Sequence, residues 1–234
     1  MTEFHFKSIG IIESCFKQKF CIPRQPGIVP QATATIVLEP EFSSEEIVRG
    51  LDDCSHVWVI FVFHKSQNAK NKNTVRPPRL GGDKRLGIFA TRSNYRPNPI
   101  GQSVVKLAGI ELKNGQTLIK LSGGDFLDGT PVLDIKPYIP YVDSIATATT
   151  AFATHPPEKV FSVKFESQAR SQIDEASRLS GENIQSFIEQ LLAYDPRPRH
   201  TQPDAIFSTK IYNYDLKWKI ENNVATVISL VCLK

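Results

Sequence analysis

Seven short runs of β-branched and aromatic residues recur in the first part of the chain, at 4–12, 33–38, 57–63, 86–91, 103–110, 117–121 and 132–135, with turn formers between them. Such runs suit pleated, half-buried surfaces and read as strands. Asn114-Gly115 falls between IEL and TLIKL, a pairing that accepts φ > 0 at both positions and closes a tight hairpin. Only 43–51 (SSEEIVRGL) reads as a helix here, with Ser43 or Ser44 as cap and Glu45 and Glu46 in the first turn. Many short strands with so little helix predict a mainly β protein whose N-terminal domain, residues 1–147, is a closed or nearly closed β-barrel.

At 145–157 the sequence turns to IATATTAFATHPP, small residues ending in two prolines, which reads as a linker. Beyond it come a strand at 160–165, a helix over 167–194 broken near Gly181, and a strand pair at 206–220 and 224–231 joined at Asn222-Asn223. This predicts a smaller α+β domain over 155–234. Ile173, Ala176, Ile184, Phe187, Ile188 and Leu191 recur at helical spacing, and a domain of about 80 residues needs that stripe for its core.

Composition excludes several classes. With 234 residues, 41% apolar and 22% charged, the chain has enough apolar content for a folded core. Its longest apolar run, VWVIFVF, has seven residues, against about 20 needed to span a bilayer. The start MTEFHFKSIG has no apolar export stretch, so a cytoplasmic location and no membrane partner are expected. Cys15, Cys21, Cys54 and Cys232 form no C-x-x-C pair, and the five histidines show no ligand spacing, so no metal is expected. Walker A, G-x-G-x-x-G and G-x-S-x-G patterns are all missing, which disfavours Rossmann-type nucleotide folds and acyl-transfer serines.

The charge is concentrated. Residues 65–106 hold ten basic side chains and a single acidic one, Asp83, within a chain whose net charge is only +4. Such a block repels itself unless a polyanion neutralises it, which makes nucleic acid the leading partner, against a merely solvated basic loop. Pro77, Pro78, Pro97 and Pro99 stiffen the stretch that presents Arg76, Arg79, Arg85, Arg92 and Arg96.

Three segments carry candidate chemistry. In PRQPG, 23–27, Arg24 and Gln25 lie between prolines, as a turn or a binding loop. In GIFATRSNYRPNPIG, 87–101, a strand ending at Thr91 leads into a loop where Arg96 and Asn98 each precede proline and are biased to extended backbone. In DFLDGTPVLDIKPYIPY, 125–141, Asp125, Asp128 and Asp134 accompany Lys136, Tyr138 and Tyr141; Asp128-Gly129 is also an ordinary turn pair. Asp134, within a strand, needs a partner, such as an arginine of the second segment. Carboxylates for ribose hydroxyls and a sulfonium, aromatic faces for a purine and arginine for a carboxylate would suit a ligand part cation, part nucleoside.

These three segments, with VRGLDDCSHVWVIFVFH at 48–64 and VRPPRLGG at 75–82, closely resemble the TsaA-like (TrmO) family of S-adenosylmethionine-dependent tRNA N6-adenosine methyltransferases. The likeness is dense over residues 1 to about 145 and continues at DPRP, 195–198. It implies methylation of N6 of N6-threonylcarbamoyladenosine, beside the anticodon at position 37 of threonine tRNAs, by a β-barrel homodimer that contacts the anticodon arm, in part through its C-terminal domain. It also implies donor contacts from Pro23, Arg24, Gln25, His64, Lys65, Arg92, Gln102 and the stretch Asp125, Phe126, Leu127 and Asp128. Family members often carry an apolar residue at the Gln102 position, so that contact is through its side chain or its backbone. Substrate contacts are expected from Arg76, Arg79, Arg85, Arg96, Asn98, Lys136, Tyr138 and Tyr141; the two tyrosines either stack on a base or fill core space. One of His64, Asp128 and Asp134 is expected to accept the N6 proton, with Arg92 or Arg96 orienting the substrate. Methyl transfer from a sulfonium is an in-line displacement that needs alignment above all. The competing readings are a non-catalytic RNA-binding barrel using the same basic block and a hydrolase built on His64 and the aspartates.

Overall fold

A computed structural model describes residues 2–66, 73–77, 84–150, 153–197, 202 and 205–233. Arg79, Lys70, Lys72, Pro78 and Pro198 lie outside them. Six strands close a barrel in the order β1 (Gly10–Ser14), β2 (Thr33–Leu38), β7 (Gln116–Ser122), β6 (Ile100–Lys113), β3 (His56–Val62) and β8 (Thr130–Pro137). Side chains alternate along each strand, so Ile36, Leu38, Val57, Val59, Val105, Ile119 and Val132 are buried between less buried neighbours. The β6–β7 turn is the expected hairpin, with Asn114 at φ 52° and Gly115 at φ 76°. A minor ribbon pairs β4 (Thr74–Val75) with β5 (Leu86–Gly87).

Several local expectations are corrected. The 4–12 run yields a strand only from Gly10, and Phe4 and Phe6 are 76% and 71% exposed. The 86–91 run is a two-residue strand followed by a 3-10 turn, Ile88–Ala90. The 43–51 helix is absent. Ser43 Oγ donates to the carbonyls of Leu38 and Glu39 and accepts from Thr117 N–H, while Ser44 Oγ accepts Ile47 N–H at 3.4 Å, a cap-like contact after which the chain continues in turns.

The chain divides into two compact units that do not follow chain order. The first comprises residues 1–12, 36–120 and 129–156; the second comprises 13–35, 121–128 and 157–234. A short helix, α1 (Pro140–Asp143), follows β8 in the first unit. In the second, a sheet of order β10 (Phe207–Ile211), β11 (Tyr214–Glu221), β12 (Val224–Cys232) and β9 (Ser162–Phe165) packs with α2 (Ser167–Ser180) and α3 (Ile184–Ala193). The expected helix break falls at Gly181, left-handed at φ 74°, and Asn183 caps α3 by accepting from Ser186 N–H at 3.0 Å, a contact worth about 1 kcal/mol. Ile173, Ala176, Ile184, Phe187, Ile188 and Leu191 are buried, in one core with Cys15, Phe16, Val29 and Ala32.

The single strand expected at 206–220 is two strands. Tyr212 turns between them at φ 48°, a conformation a bulky side chain rarely adopts. Tertiary contacts hold it there: its N–H donates to Cys15 O at 2.7 Å and its hydroxyl lies 3.1 Å from Thr33 Oγ1.

Candidate functional site

In the second unit the PRQPG loop and the aspartate-bearing turn are laced together. Gly27 N–H donates to Gly123 O at 2.8 Å, Gly123 N–H to Ala32 O at 2.9 Å, and Ser122 Oγ to Pro30 O at 2.6 Å. Gly123 has φ +75°, a conformation that favours glycine, and a Cβ there would lie in ordinary contact with Gly27 Cα at 3.4 Å. The structure thus brings the Pro23, Arg24 and Gln25 loop against the segment that carries Asp125 to Asp128. Arg24 is exposed, and Pro23, Gln25 and Asp125 are half-buried. Phe126 is 1% exposed; its side chain fills the core and its carbonyl accepts the Ser14 hydroxyl at 2.7 Å.

Asp128 is held from three directions. Its Oδ1 accepts Ser14 N–H at 2.8 Å and lies 2.8 Å from Lys17 Nζ, while its own N–H donates to Phe16 O at 2.9 Å. Sequence reasoning missed both Ser14 and Lys17. No local signal marks them, because each meets Asp128 across more than a hundred residues of chain.

In the first unit the end of β3 and the arginine-proline loop meet. Phe63 N–H donates to Pro99 O at 2.8 Å, and Asn94 Nδ2 to Ser66 Oγ at 2.6 Å, so the turn carrying His64 and Lys65 is fastened to the loop carrying Arg92. His64 is half-buried; Lys65 and Arg92 are exposed. Arg96 has a different environment from Arg92. Its Nη1 donates to Thr91 O at 2.7 Å and Ile88 O at 3.4 Å, and its guanidinium lies over the Phe89 ring at 5.8 Å. Arg96 therefore braces the loop from within. Gln102 is exposed on β6, opposite Ile60 of β3, one residue beyond the Gly101–Phe61 pair where the Phe61 ring leaves no room for a Cβ.

Asp134 finds Lys136 rather than an arginine: Oδ2 lies 2.7 Å from Lys136 Nζ, and Oδ1 accepts Ile135 N–H at 2.9 Å. A bulge in the β3–β8 pairing, between Ile60 and Phe61, falls beside it and re-aims the strand locally. Tyr138 is half-buried, 6.2 Å from the Trp58 ring, whereas Tyr141 is 88% exposed and fills no core space in this chain. Arg76, Arg85 and Asn98 are exposed; Arg79 lies outside the described residues.

Burial pushes the Cys15 and Cys21 thiols up to about 12, which keeps them protonated and inert as nucleophiles. Among the described residues no group of His, Cys, Asp and Glu is placed to hold a metal ion, and no helix is long and apolar enough to cross a membrane.

A closed β-barrel with arginine, histidine and aspartate in its connecting loops, joined to an α+β unit, defines a barrel class of protein distinct from the doubly wound nucleotide binders. Residues 11–144 match the family described as the tRNA-methyltransferase O N-terminal domain, and residues 158–232 match the TrmO C-terminal domain. The chain belongs to the tRNA-methyltransferase O family. It is 37% identical over 233 residues to the tRNA (adenine(37)-N6)-methyltransferase of Escherichia coli K12, covering 98% of this chain and 99% of the relative. It is 46% identical over 212 residues, 90% of each chain, to a Pseudomonas aeruginosa protein provisionally described as the S-adenosylmethionine-dependent methyltransferase RcsF. The crystal structure of TrmO from Pseudomonas aeruginosa superposes with a TM-score of 0.83 at 38% identity, covering 98% of this chain and 99% of that one.

Proposed function

We propose that this protein transfers a methyl group from S-adenosylmethionine to N6 of the adenosine at position 37 of tRNA, and that its substrate is N6-threonylcarbamoyladenosine in threonine tRNAs. The observation that carries this reading is the match along nearly the whole chain, in both family domains, to a tRNA (adenine(37)-N6)-methyltransferase.

The donor set fits the proposed cosubstrate. The loop joined at Gly27 and Gly123 offers Arg24 for an amino-acid carboxylate, and Asp125 for ribose hydroxyls. Proposed donor contacts are Pro23, Arg24, Gln25, His64, Lys65, Arg92, Gln102 and the stretch from Asp125 to Asp128. Bound there, S-adenosylmethionine would supply an electrophilic methyl on a sulfonium.

The N6 nitrogen of threonylcarbamoyladenosine lies between a purine ring and a carbonyl, which acidifies its proton, so a modest base suffices. Asp128 and Asp134 each carry a lysine partner and a backbone N–H donor. His64, Asp128 or Asp134 accepts the N6 proton, each having an acceptor atom in its unprotonated form. Arg92 orients the threonine carboxylate, Arg96 keeps the loop in shape, and Arg76, Arg85, Asn98, Lys136, Tyr138 and Tyr141 contact the anticodon arm. The proposal includes a cytoplasmic location and a homodimer, the latter supported by the exposed Ile139, Val142 and Ile145 on and beside α1.

Mass spectrometry of threonine tRNA from cells lacking the protein tests the reading. Loss of one methyl from the modified adenosine, restored by the wild-type protein and not by Arg92→Ala, is expected; unchanged methylation overturns it.

A further inference from the structure

The four-stranded sheet of the second unit has two unlike faces. Thr209, Leu216, Trp218, Ala225 and Val227 are buried on one, with the helices. Along the same strands the alternate positions are Lys210 on β10, Lys217 and Lys219 on β11 and Lys164 on β9. The register sets them side by side. Lys219 pairs with Thr226 of β12, and Thr226 pairs with Lys164, which puts the two lysines two strand spacings apart, about 10 Å. One step along, Ser208, Lys217 and Ser229 form a second row of cation and hydroxyls.

The carboxylates of this face are already engaged. Asp215 accepts a hydrogen bond from Ser208 Oγ, and Glu221 lies 3.0 Å from Lys219 Nζ. Lys164, Lys210 and Lys217 are exposed and, among the described residues, in no ion pair. Residues 151–234 contain ten basic and ten acidic side chains, so the face is a local concentration of charge in a balanced segment. Glu166, Asp174, Glu175, Glu182 and Glu189 lie on or beside the helices instead.

Protection of a sheet edge accounts for lysines on β10 and β9, the two outer strands, and not for the pair on β11, which has a neighbour on both sides. Lys219 is paired with Glu221, so the cation that this interior strand leaves outside any ion pair among the described residues is Lys217. Lysines interleaved with serine and threonine hydroxyls are the side chains that contact phosphate and sugar, and the face presents neither the arginine forks nor the exposed aromatics that read base edges or stack on bases.

We infer that the open face of this sheet is a docking surface for the phosphate backbone of the tRNA substrate, one that adds affinity and orientation without reading sequence. The inference rests on the tRNA substrate proposed above, and it assigns the C-terminal sheet a part in holding the RNA.

The test uses the full-length protein and unfractionated tRNA, with binding measured across a salt series. Lys164→Ala, Lys210→Ala and Lys217→Ala combined should weaken binding at ~100 mM salt by about tenfold or more and lower the log–log salt slope by about 2. The KM for tRNA should rise, while kcat at saturating tRNA and the affinity for S-adenosylmethionine stay at wild-type values. The triple Lys→Arg variant keeps the charge and should retain wild-type binding. Unchanged tRNA affinity and slope in a folded alanine variant of an active wild-type protein overturn this inference alone. A wild-type protein that neither binds tRNA nor methylates it overturns the function with it. Because the surface is scored on binding, lost affinity in the alanine variant supports it even where no methyl transfer is seen.

Discussion

Lys17 Nζ lies 2.8 Å from Asp128 Oδ1, the same oxygen that accepts the Ser14 backbone N–H at 2.8 Å. One carboxylate oxygen thus joins Ser14 and Lys17 to the turn that follows Asp125, within the second unit. Both partners are about a third exposed, so the ion pair itself contributes about 0.2–1 kcal/mol. The Ser14 N–H matters more, because a buried donor left without an acceptor costs about 1–3 kcal/mol. Asp128→Asn, which keeps an acceptor for that N–H, should lose less stability than Asp128→Ala in urea titrations. A double-mutant cycle of Lys17→Met with Asp128→Asn should show coupling below about 1 kcal/mol.

Arg92 and Arg96 lie four residues apart and should fail in different ways. Arg92→Ala should abolish turnover while amide exchange across residues 88–96 stays at the wild-type rate. Arg96→Ala removes two donors from the Thr91 and Ile88 carbonyls, so exchange in the same segment should accelerate, and Lys at this position should restore only part of the protection. Equal exchange in the two variants would contradict the bracing role.

Gly123→Ala probes the tie between the two segments proposed to hold the methyl donor. At φ +75° an alanine costs about 1–2 kcal/mol, and its Cβ would lie against Gly27 Cα at 3.4 Å, so that relief of the backbone strain shifts the contact between the two segments. Calorimetry should find weakened S-adenosylmethionine binding with the protein still folded. Gly115→Ala, equally left-handed at φ +76° with open space around it, is the control that pays the backbone cost and spares the site.

Stability should fall at alkaline pH. Burial raises Cys15 and Cys21 from 9.0 to about 12, and it raises Tyr212 as well. The unfolded chain therefore loses these thiol protons first. The full contribution is present below about pH 8.5 and is lost between 9 and 12, at up to about 1.4 kcal/mol per unit for each thiol. Chemical denaturation at pH 8, 9 and 10 measures the decline, and Cys21→Ala should make it shallower. A slope that Cys21→Ala leaves unaltered would assign the decline to other groups.

His64→Asn should lower kcat and weaken the affinity for S-adenosylmethionine, and it should remove the acidic limb of the pH–rate profile if the imidazole takes the N6 proton. An intact acidic limb would return the role to Asp128 or Asp134.

Much of the barrel was legible along the chain because strand alternation and hairpin turns are local. Residues 33–38, 117–121 and the Asn114-Gly115 turn stand close to where periodicity put them. The failures have one origin. Ser43, expected as a cap, is drawn to backbone that includes Thr117 N–H, and Tyr212, expected inside a strand, is turned by Cys15 and Thr33. In each case a contact outside the local pattern outweighed a preference worth at most about 1 kcal/mol.

Residue spacing alone carried the strand and helix periods, the glycine and asparagine turns, the basic block and the motifs that mark the family, since each depends on neighbours a few positions apart. Tertiary structure decided which segments meet: that residues 13–35 join the core of α2 and α3, that Ser14 and Lys17 close on Asp128, and that Arg96 turns inward while Arg92 is exposed. The physical reason is that a polar group is recruited by whichever partner folding brings within about 3 Å, and that partner can be a hundred residues away.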